Sequence, residues 1–239
     1  MKAFSITDIG KKRQLNQDHI YASLEPVGNL PNIFLVADGM GGHKAGGYAS
    51  SCAVETILEG ISESESSDPE EILTEAIQKA NEVIERRAGE DERLSGMGTT
   101  VVAACWDGKE LHTANVGDSR LYVVNGGIEQ ITEDHSLVQE MVRVGGINKE
   151  EARSHPNKNI ITRAVGLERY LRVDCFRRTL EPGNIVLLCS DGLSNVVTEQ
   201  EILYEVLHGG AAGDCCQRLL EIALSRGAPD NVTAVLLQM

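Results

Sequence analysis

Two apolar runs in this chain end on the same dipeptide. NIFLVADGM at 32–40 and NIVLLCSDGL at 184–193 each read as a buried strand that delivers an aspartate followed by a glycine. LHTANVGDSR leads in the same way into Gly117-Asp118, and APDNVTAVLLQ inverts the order, with Asp230 at the head of the last apolar run. Near the N-terminus, RQLNQD brings Asp18 just before HIYASL. The fold must therefore gather carboxylates at strand ends, in loops poor in bulky side chains. Carboxylates held close together repel, and each loses hydration unless a cation joins them.

The runs between these points set the fold class. NIFLVA, TTVVAACW, ELHTANV, RLYVVN, GIEQIT, LRVDCFRRTL, NIVLLCS and NVTAVLLQ read as strands, and Asn125–Gly127 as a hairpin turn. Helical spacing appears in AGGYASSCAVETILEGI and in DPEEILTEAIQKANEVIERR, where Asp68 is the expected N-cap, Pro69 the first helical residue and Glu71 the partner in a capping box. TEQEILYEVLHGG repeats the box with Thr198 and Glu201 and stops at Gly209, and a last helix is expected from Asp214 to Gly227. Strands come in consecutive hairpins and helices in blocks, which points to antiparallel sheets covered by helices rather than alternating parallel units. No change of composition marks a boundary, and SESESSD at 62–68 reads as a solvated connector.

An all-oxygen ligand set suits hard ions such as Mg²⁺ or Mn²⁺, not zinc. The net charge of −14, from 36 acidic and 22 basic residues, argues against a non-specific nucleic-acid binder; it is compatible with a chain that collects cations, but taken alone it is read as simple solubility. A lone Asp-Gly is ordinarily a turn, but several strand-terminal aspartates in one chain are not explained that way. The glycines are read as clearing room for ions and substrate. Two metals bridged by one carboxylate generate hydroxide near neutral pH and clamp a phosphoryl group for in-line attack. Arg13, five residues before Asp18, is a candidate clamp on that phosphate, because a guanidinium matches phosphate oxygens in pairs.

Other chemistries are excluded. No cysteine has an arginine six positions later, and G-x-x-x-x-G-K-[ST], H-E-x-x-H and the kinase motifs are absent. The six histidines form no ligand pair at helical spacing. The six cysteines form no C-x-x-C and lie in apolar runs such as VVAACW, as reduced cysteines of the cytosol do. With no apolar signal core and no membrane-length run, the expected location is cytoplasmic, without membrane insertion.

RQLNQD, VADGMGGH, GMGTT, ANVGDSRLY, ITEDHS, ITRAVG, LLCSDGL and DNVTAVLL occur in that order nearly end to end. In these motifs the chain resembles the metal-dependent protein phosphatase family, type 2C, in its compact bacterial form. The resemblance implies an α+β, four-layer αββα sandwich, two stacked antiparallel sheets flanked by helices, as one domain over residues 1–239. It implies a serine/threonine phosphoprotein phosphatase in which a dinuclear Mn²⁺ or Mg²⁺ centre activates a bridging water that attacks phosphorus directly. Asp38 would bridge the two core ions, Asp191 and Asp230 would complete the first shell, and Asp18 with the Gly39 carbonyl would serve the second. Asp118, with Asp191, would hold a third ion, and Arg13 would bind the phosphate. The segment from about Leu137 to Asn159 would be a mobile flap. Expected partners are phosphoserine and phosphothreonine proteins, among them a cognate Ser/Thr kinase and its substrates.

The chain departs from the eukaryotic pattern twice. Gln17 stands where those members have an acidic residue, and Met40 stands where they carry the histidine proposed as general acid. The proton donor is then either a metal-bound water or His43. A pseudophosphatase that only binds phosphoproteins would be expected to have lost metal aspartates, and all five are present. An enzyme dedicated to a single anti-sigma-factor antagonist is the other alternative weighed; the lack of a sensory domain favours general reversal of kinase action.

Overall fold

The computed structural model describes residues 1–42 and 44–239. It opens with β1 (Lys2–Asp8), β2 (Asp18–Ser23), β3 (Ile33–Met40), α1 (Ala45–Glu63) and α2 (Pro69–Glu90). The strands β4 (Gly98–Thr99), β5 (Val101–Trp106), β6 (Glu110–Val116), β7 (Arg120–Val124) and β8 (Ile128–Gln130) follow. Two short helices, α3 (Leu137–Arg143) and α4 (Lys149–Ser154), precede β9 (Asp174–Thr179) and β10 (Ile185–Cys189). The chain ends with α5 (Asp191–Ser194), α6 (Glu199–His208), α7 (Ala212–Ser225) and β11 (Val232–Gln238).

Two antiparallel sheets result. One runs β1-β11-β10-β7-β8, and the other β2-β3-β5-β6-β9, with β4 paired to β3. Period-2 alternation sorts their side chains into three apolar layers. Phe34, Val36, Val102 and Ala104 of one sheet meet Leu121, Val186, Leu188, Val235 and Leu237 of the other. The opposite faces take the helices: Ile33, Leu35 and Ala37 lie against Ile57, Ile61 and Ile77 of α1 and α2. Leu187, Cys189, Ala234 and Leu236 lie against Ile202, Leu219 and Leu220 of α6 and α7. The four-layer expectation holds. Each large side chain buried in these layers contributes about 1.5–3 kcal/mol.

The structure corrects the sequence reading at several points. β1 and β2 were not expected; both are sheet edges, where one face and one flank meet solvent and the apolar signal is diluted. Asp68 caps α2 by accepting from the Glu70 amide, but Glu71 accepts from the Ser66 hydroxyl instead of closing a box. The box at Thr198 and Glu201 is present. α7 begins at Ala212, two residues earlier than expected, which leaves Asp214 inside its first turn. The segment 137–159 carries α3 and α4 and is closed at its root by Leu137 N–H donating to the Ile160 carbonyl and Thr162 N–H donating to that of His135.

Candidate metal centre

The alternation that fills the layer between the sheets also builds the site. Phe34 and Val36 point into that layer, and Asp38 is the next residue on the same face of β3. Asp18 is its cross-strand partner on β2. Thr233 holds the parity of Val235 and Leu237 on β11, and Ser190 follows Val186 and Leu188 from β10. At this end the inter-sheet core changes from apolar to carboxylate and hydroxyl without any change of backbone pattern.

Asp38 was expected in a loop, and the correction is informative. β3 continues through Gly39 and Met40, and Gly39 pairs with Thr99 of β4. The Asp38 amide donates to the Thr100 hydroxyl at 3.0 Å, and its carbonyl accepts from the Thr100 amide and the Thr99 hydroxyl, each at 2.9 Å. Neither Asp-Gly is a turn. A Cβ on Gly39 would lie 2.1 Å from the Gly46 carbonyl oxygen of α1, and one on Gly192 would lie 1.8 Å from the Asn231 carbonyl oxygen. Both glycines serve close backbone approach rather than open space. Gly117, at φ +104° and against Thr100, does need the left-handed region.

The five aspartates enter from five elements or their flanks. Asp18 and Asp38 come from paired strands, Asp118 from the β6–β7 connection, Asp191 from the first turn of α5 and Asp230 from just before β11. Asp38, Asp118, Asp191 and Asp230 share a cavity of about 310 Å³ with Arg13, Gln17, Met40 and Thr100. Asp18 lies beneath, 5% exposed, with Oδ2 accepting from the Ser190 hydroxyl at 2.8 Å. Asp191 Oδ2 accepts from Asn195 Nδ2 at 2.9 Å. The other oxygens, Asp18 Oδ1 and Asp191 Oδ1, are buried with no partner.

Electrostatics state the same need. Burial, and then the charges of Asp18, Asp191, Asp118 and Asp230, hold the Asp38 carboxyl well above its ordinary range. Burial and Asp191 raise Asp118, burial raises Asp18, and burial with Asp230 pushes Asp191 up to about 6. Of the nearby cations, Arg120 is forked onto Asp134 at 2.7–3.1 Å, and Arg13 reaches only one of the five, Asp230, through Oδ2 at 2.7 Å. A divalent cation fits this donor set, because it supplies positive charge and gives the two orphaned oxygens a partner.

Among the described residues, the only trio of potential ligands with all atoms within 4.8 Å of one another is elsewhere, at Asp107, Glu110 and His112 of the β5–β6 hairpin. The five aspartates are spread around their cavity instead of converging on a point. A second cavity of about 460 Å³ shares Asp118 and Asp191 and runs between α3, α4 and the Ser194–Gln200 stretch. His43, weighed as a proton donor, lies outside the described residues. Sequence reasoning missed Ser190, Thr233, Arg120 and Asn231; for Ser190 and Thr233 the available signal was a polar residue at the parity of the inter-sheet core in an apolar run.

Two stacked antiparallel sheets thus hold a carboxylate cavity suited to divalent cations at one end of the inter-sheet core. The family model for protein phosphatase 2C matches residues 10–222. The serine/threonine phosphatase stp of Listeria monocytogenes is 40% identical over 237 residues, covering 97% of this chain and 93% of that one. The crystal structure of serine/threonine phosphatase Stp1 from Staphylococcus aureus superposes with a TM-score of 0.92 at 36% identity, covering 100% of this chain and 94% of that one. The catalytic domain of serine threonine protein phosphatase PstP in complex with two manganese ions superposes at 0.86 with 33% identity, over 98% and 96% of the two chains. The chain belongs to the protein phosphatase 2C family, whose members are metal-dependent.

Proposed function

We propose that the 310 Å³ cavity is where this chain, a serine/threonine phosphatase of the 2C type, hydrolyses phosphoserine and phosphothreonine in proteins. The observation that carries the reading is the pair of buried, partnerless oxygens on Asp18 and Asp191 within a group of carboxyls held above their ordinary range. Asp38, Asp191, Asp230, Asp18 and the Gly39 carbonyl would hold two core ions, with Asp38 shared between them, and Asp118 with Asp191 would hold a third. Oxygen donors alone favour Mn²⁺ or Mg²⁺. Such ions, when bound, acidify water and withdraw charge from phosphoryl oxygens.

The chain's own residues do the rest. Arg13, at the exposed rim, turns its guanidinium toward the cavity and orients the phosphate. The Thr99 and Thr100 contacts fix the Asp38 backbone, and Thr100 extends the same order to Ser119, beside Asp118, at 2.7 Å. Segment 137–159 is the flap, and the 460 Å³ cavity beside it takes the polypeptide that carries the phosphorylated residue. The whole chain acts as one catalytic domain. Partners are phosphoproteins, with a cognate Ser/Thr kinase and its substrates foremost, in bacterial signalling. A cytoplasmic location is supported by six cysteines that are all unpaired, five of them buried. No helix among the described residues is long and apolar enough to cross a membrane.

Hydrolysis of a phosphothreonine peptide tests the reading. Activity should require a divalent ion, vanish with EDTA and return with excess Mn²⁺. Turnover that persists in EDTA would overturn it.

A further inference from the structure

We infer that Asn231 is the positioning residue for the phosphate clamp: it fixes the backbone of the loop that carries Arg13. The inference rests on the reading of Arg13 as that clamp. Residues 9–17 contain no helix or strand, and most of them are exposed. A long side chain on such a loop would sample many positions, and a guanidinium orients a phosphate only if its base is held still.

One buried side chain supplies the hold. Asn231, 4% exposed, donates through Nδ2 to the Ile9 carbonyl at 2.9 Å and to the Leu15 carbonyl at 3.0 Å. Its Oδ1 accepts from the Gln17 amide at 2.9 Å. Both N–H groups of the amide and its oxygen are therefore used, and they gather the start and the end of the loop at one point. Of the common polar side chains of this length only an amide does this, since a carboxylate has no donor and a hydroxyl has one. Gly10 sits at φ +75° with its Cβ position 2.1 Å from the Asp230 carbonyl oxygen, and the Lys11 amide donates to the Ala228 carbonyl at 2.9 Å. The loop thus closes against the residues preceding β11, where Asp230 receives the Arg13 guanidinium.

Asn231 also follows Asp230 and donates its amide to Asp230 Oδ1, so the test must separate the two neighbours. The full chain with saturating Mn²⁺ is compared with Arg13→Ala, Asn231→Ala and the double variant. The substrate is p-nitrophenyl phosphate, inorganic phosphate is the competitive inhibitor, and circular dichroism checks folding. The expected result is that each single variant raises the phosphate inhibition constant by about tenfold to a hundredfold. The double variant should match Arg13→Ala to within about twofold, because the two act as one unit. The Mn²⁺ concentration for half-maximal activity should stay within about twofold for Asn231→Ala.

Inhibition by phosphate that is unchanged in folded Asn231→Ala would overturn the inference. So would an effect that multiplies on that of Arg13→Ala, or one that appears mainly in the Mn²⁺ requirement, which would place the action on Asp230. If Arg13→Ala itself leaves phosphate inhibition unchanged, the clamp reading fails and the inference with it. Should Asn231→Ala not fold, Asn231→Ser, which keeps one donor and one acceptor, is read in the same cycle against the same outcomes.

Discussion

Two acidic clusters stand among the described residues, and the hydrogen bonds of their carboxylates run opposite ways. At the hairpin, Asp107 Oδ1 accepts from the Lys109 and Glu110 amides at 2.9 and 2.7 Å, and Oδ2 faces His112 Nε2 at 3.0 Å. Burial pushes that carboxyl up, but the bonds from His112, Glu110 and Lys109 outweigh it and bring it down to about 2. In the inter-sheet cavity burial dominates, the neighbours are like charges, and two oxygens have no partner. Proximity of ligand atoms alone would choose the hairpin, where the trio lies within 4.8 Å. Partners on both of its oxygens mark Asp107 as a turn carboxylate, although His112 Nδ1 beside it is unpartnered. Unsatisfied bonds mark the spread-out aspartates as the place where a cation is needed.

The sharpest test of this contrast is Asp38→Asn beside Asp107→Asn. The first should lower kcat/KM on a phosphothreonine peptide by roughly a thousandfold or more, as loss of a central charge from a metal-dependent site does. The second should leave kcat/KM unchanged. Comparable losses in both would erase the distinction.

Outer partners should come next. Ser190→Ala frees the Asp18 oxygen that the hydroxyl now holds, and loss of such a partner costs about 10–100-fold in ion affinity. Titration of activity with Mn²⁺ reads this directly; an unshifted midpoint would show that Asp18 is held without Ser190.

Acidity separates the clusters by sign. A carboxyl whose folded pKa is raised stabilises the protein fully below its unfolded value, about 3.9, and that contribution is lost as pH rises through the folded value. Asp191 places part of this loss near pH 6, and Asp18, Asp38 and Asp118 move in the same direction. A metal-free sample should therefore lose stability from these groups as pH rises above about 4, with the Asp191 part lost near pH 6. Added Mn²⁺ should restore more at pH 7.5 than at pH 5. With the ion at a hundred times its Kd the gain is about 2.7 kcal/mol, or roughly 5–10 °C in Tm for a chain of this size. Asp107, lowered, stabilises above its unfolded value and loses that contribution as pH falls through about 2. An Mn²⁺ effect equal at both pH values would break the comparison.

Much of this was legible in the sequence because the site is an extension of the core pattern. Period-2 alternation in NIFLVAD already places Asp38 on the face of Phe34 and Val36, and the order of motifs carried the family. Less legible was why glycine follows Asp38 and Asp191, since a close approach to Gly46 or Asn231 involves residues distant in sequence. β1 and β2 escaped notice because an edge strand buries half a face. Ser190 and Asn231 gave only the faint signal of a polar side chain at a buried position, and Asp107 none that separates a turn from a ligand.

The smallest expected effect falls on stability at that hairpin. In Asp107→Asn the side-chain oxygen that accepts from the Lys109 and Glu110 amides can be kept, so the turn persists, while the charged oxygen opposite His112 Nε2 gives way to a neutral NH2 group. Asp107 is 38% exposed, and solvent screens the pair. The cost should be about 0.5–1 kcal/mol, or roughly 1–4 °C in Tm. His112 is 4% exposed with Nδ1 unpartnered, so its ring has no second bond to fall back on, which places the cost above that of an ordinary surface pair. Thermal melts with and without Mn²⁺ give the answer. The drop should be the same in both, because the hairpin takes no part in ion binding. A drop that appears only with Mn²⁺ present would mean that the hairpin trio also holds an ion, and that satisfied hydrogen bonds do not exclude one in this protein.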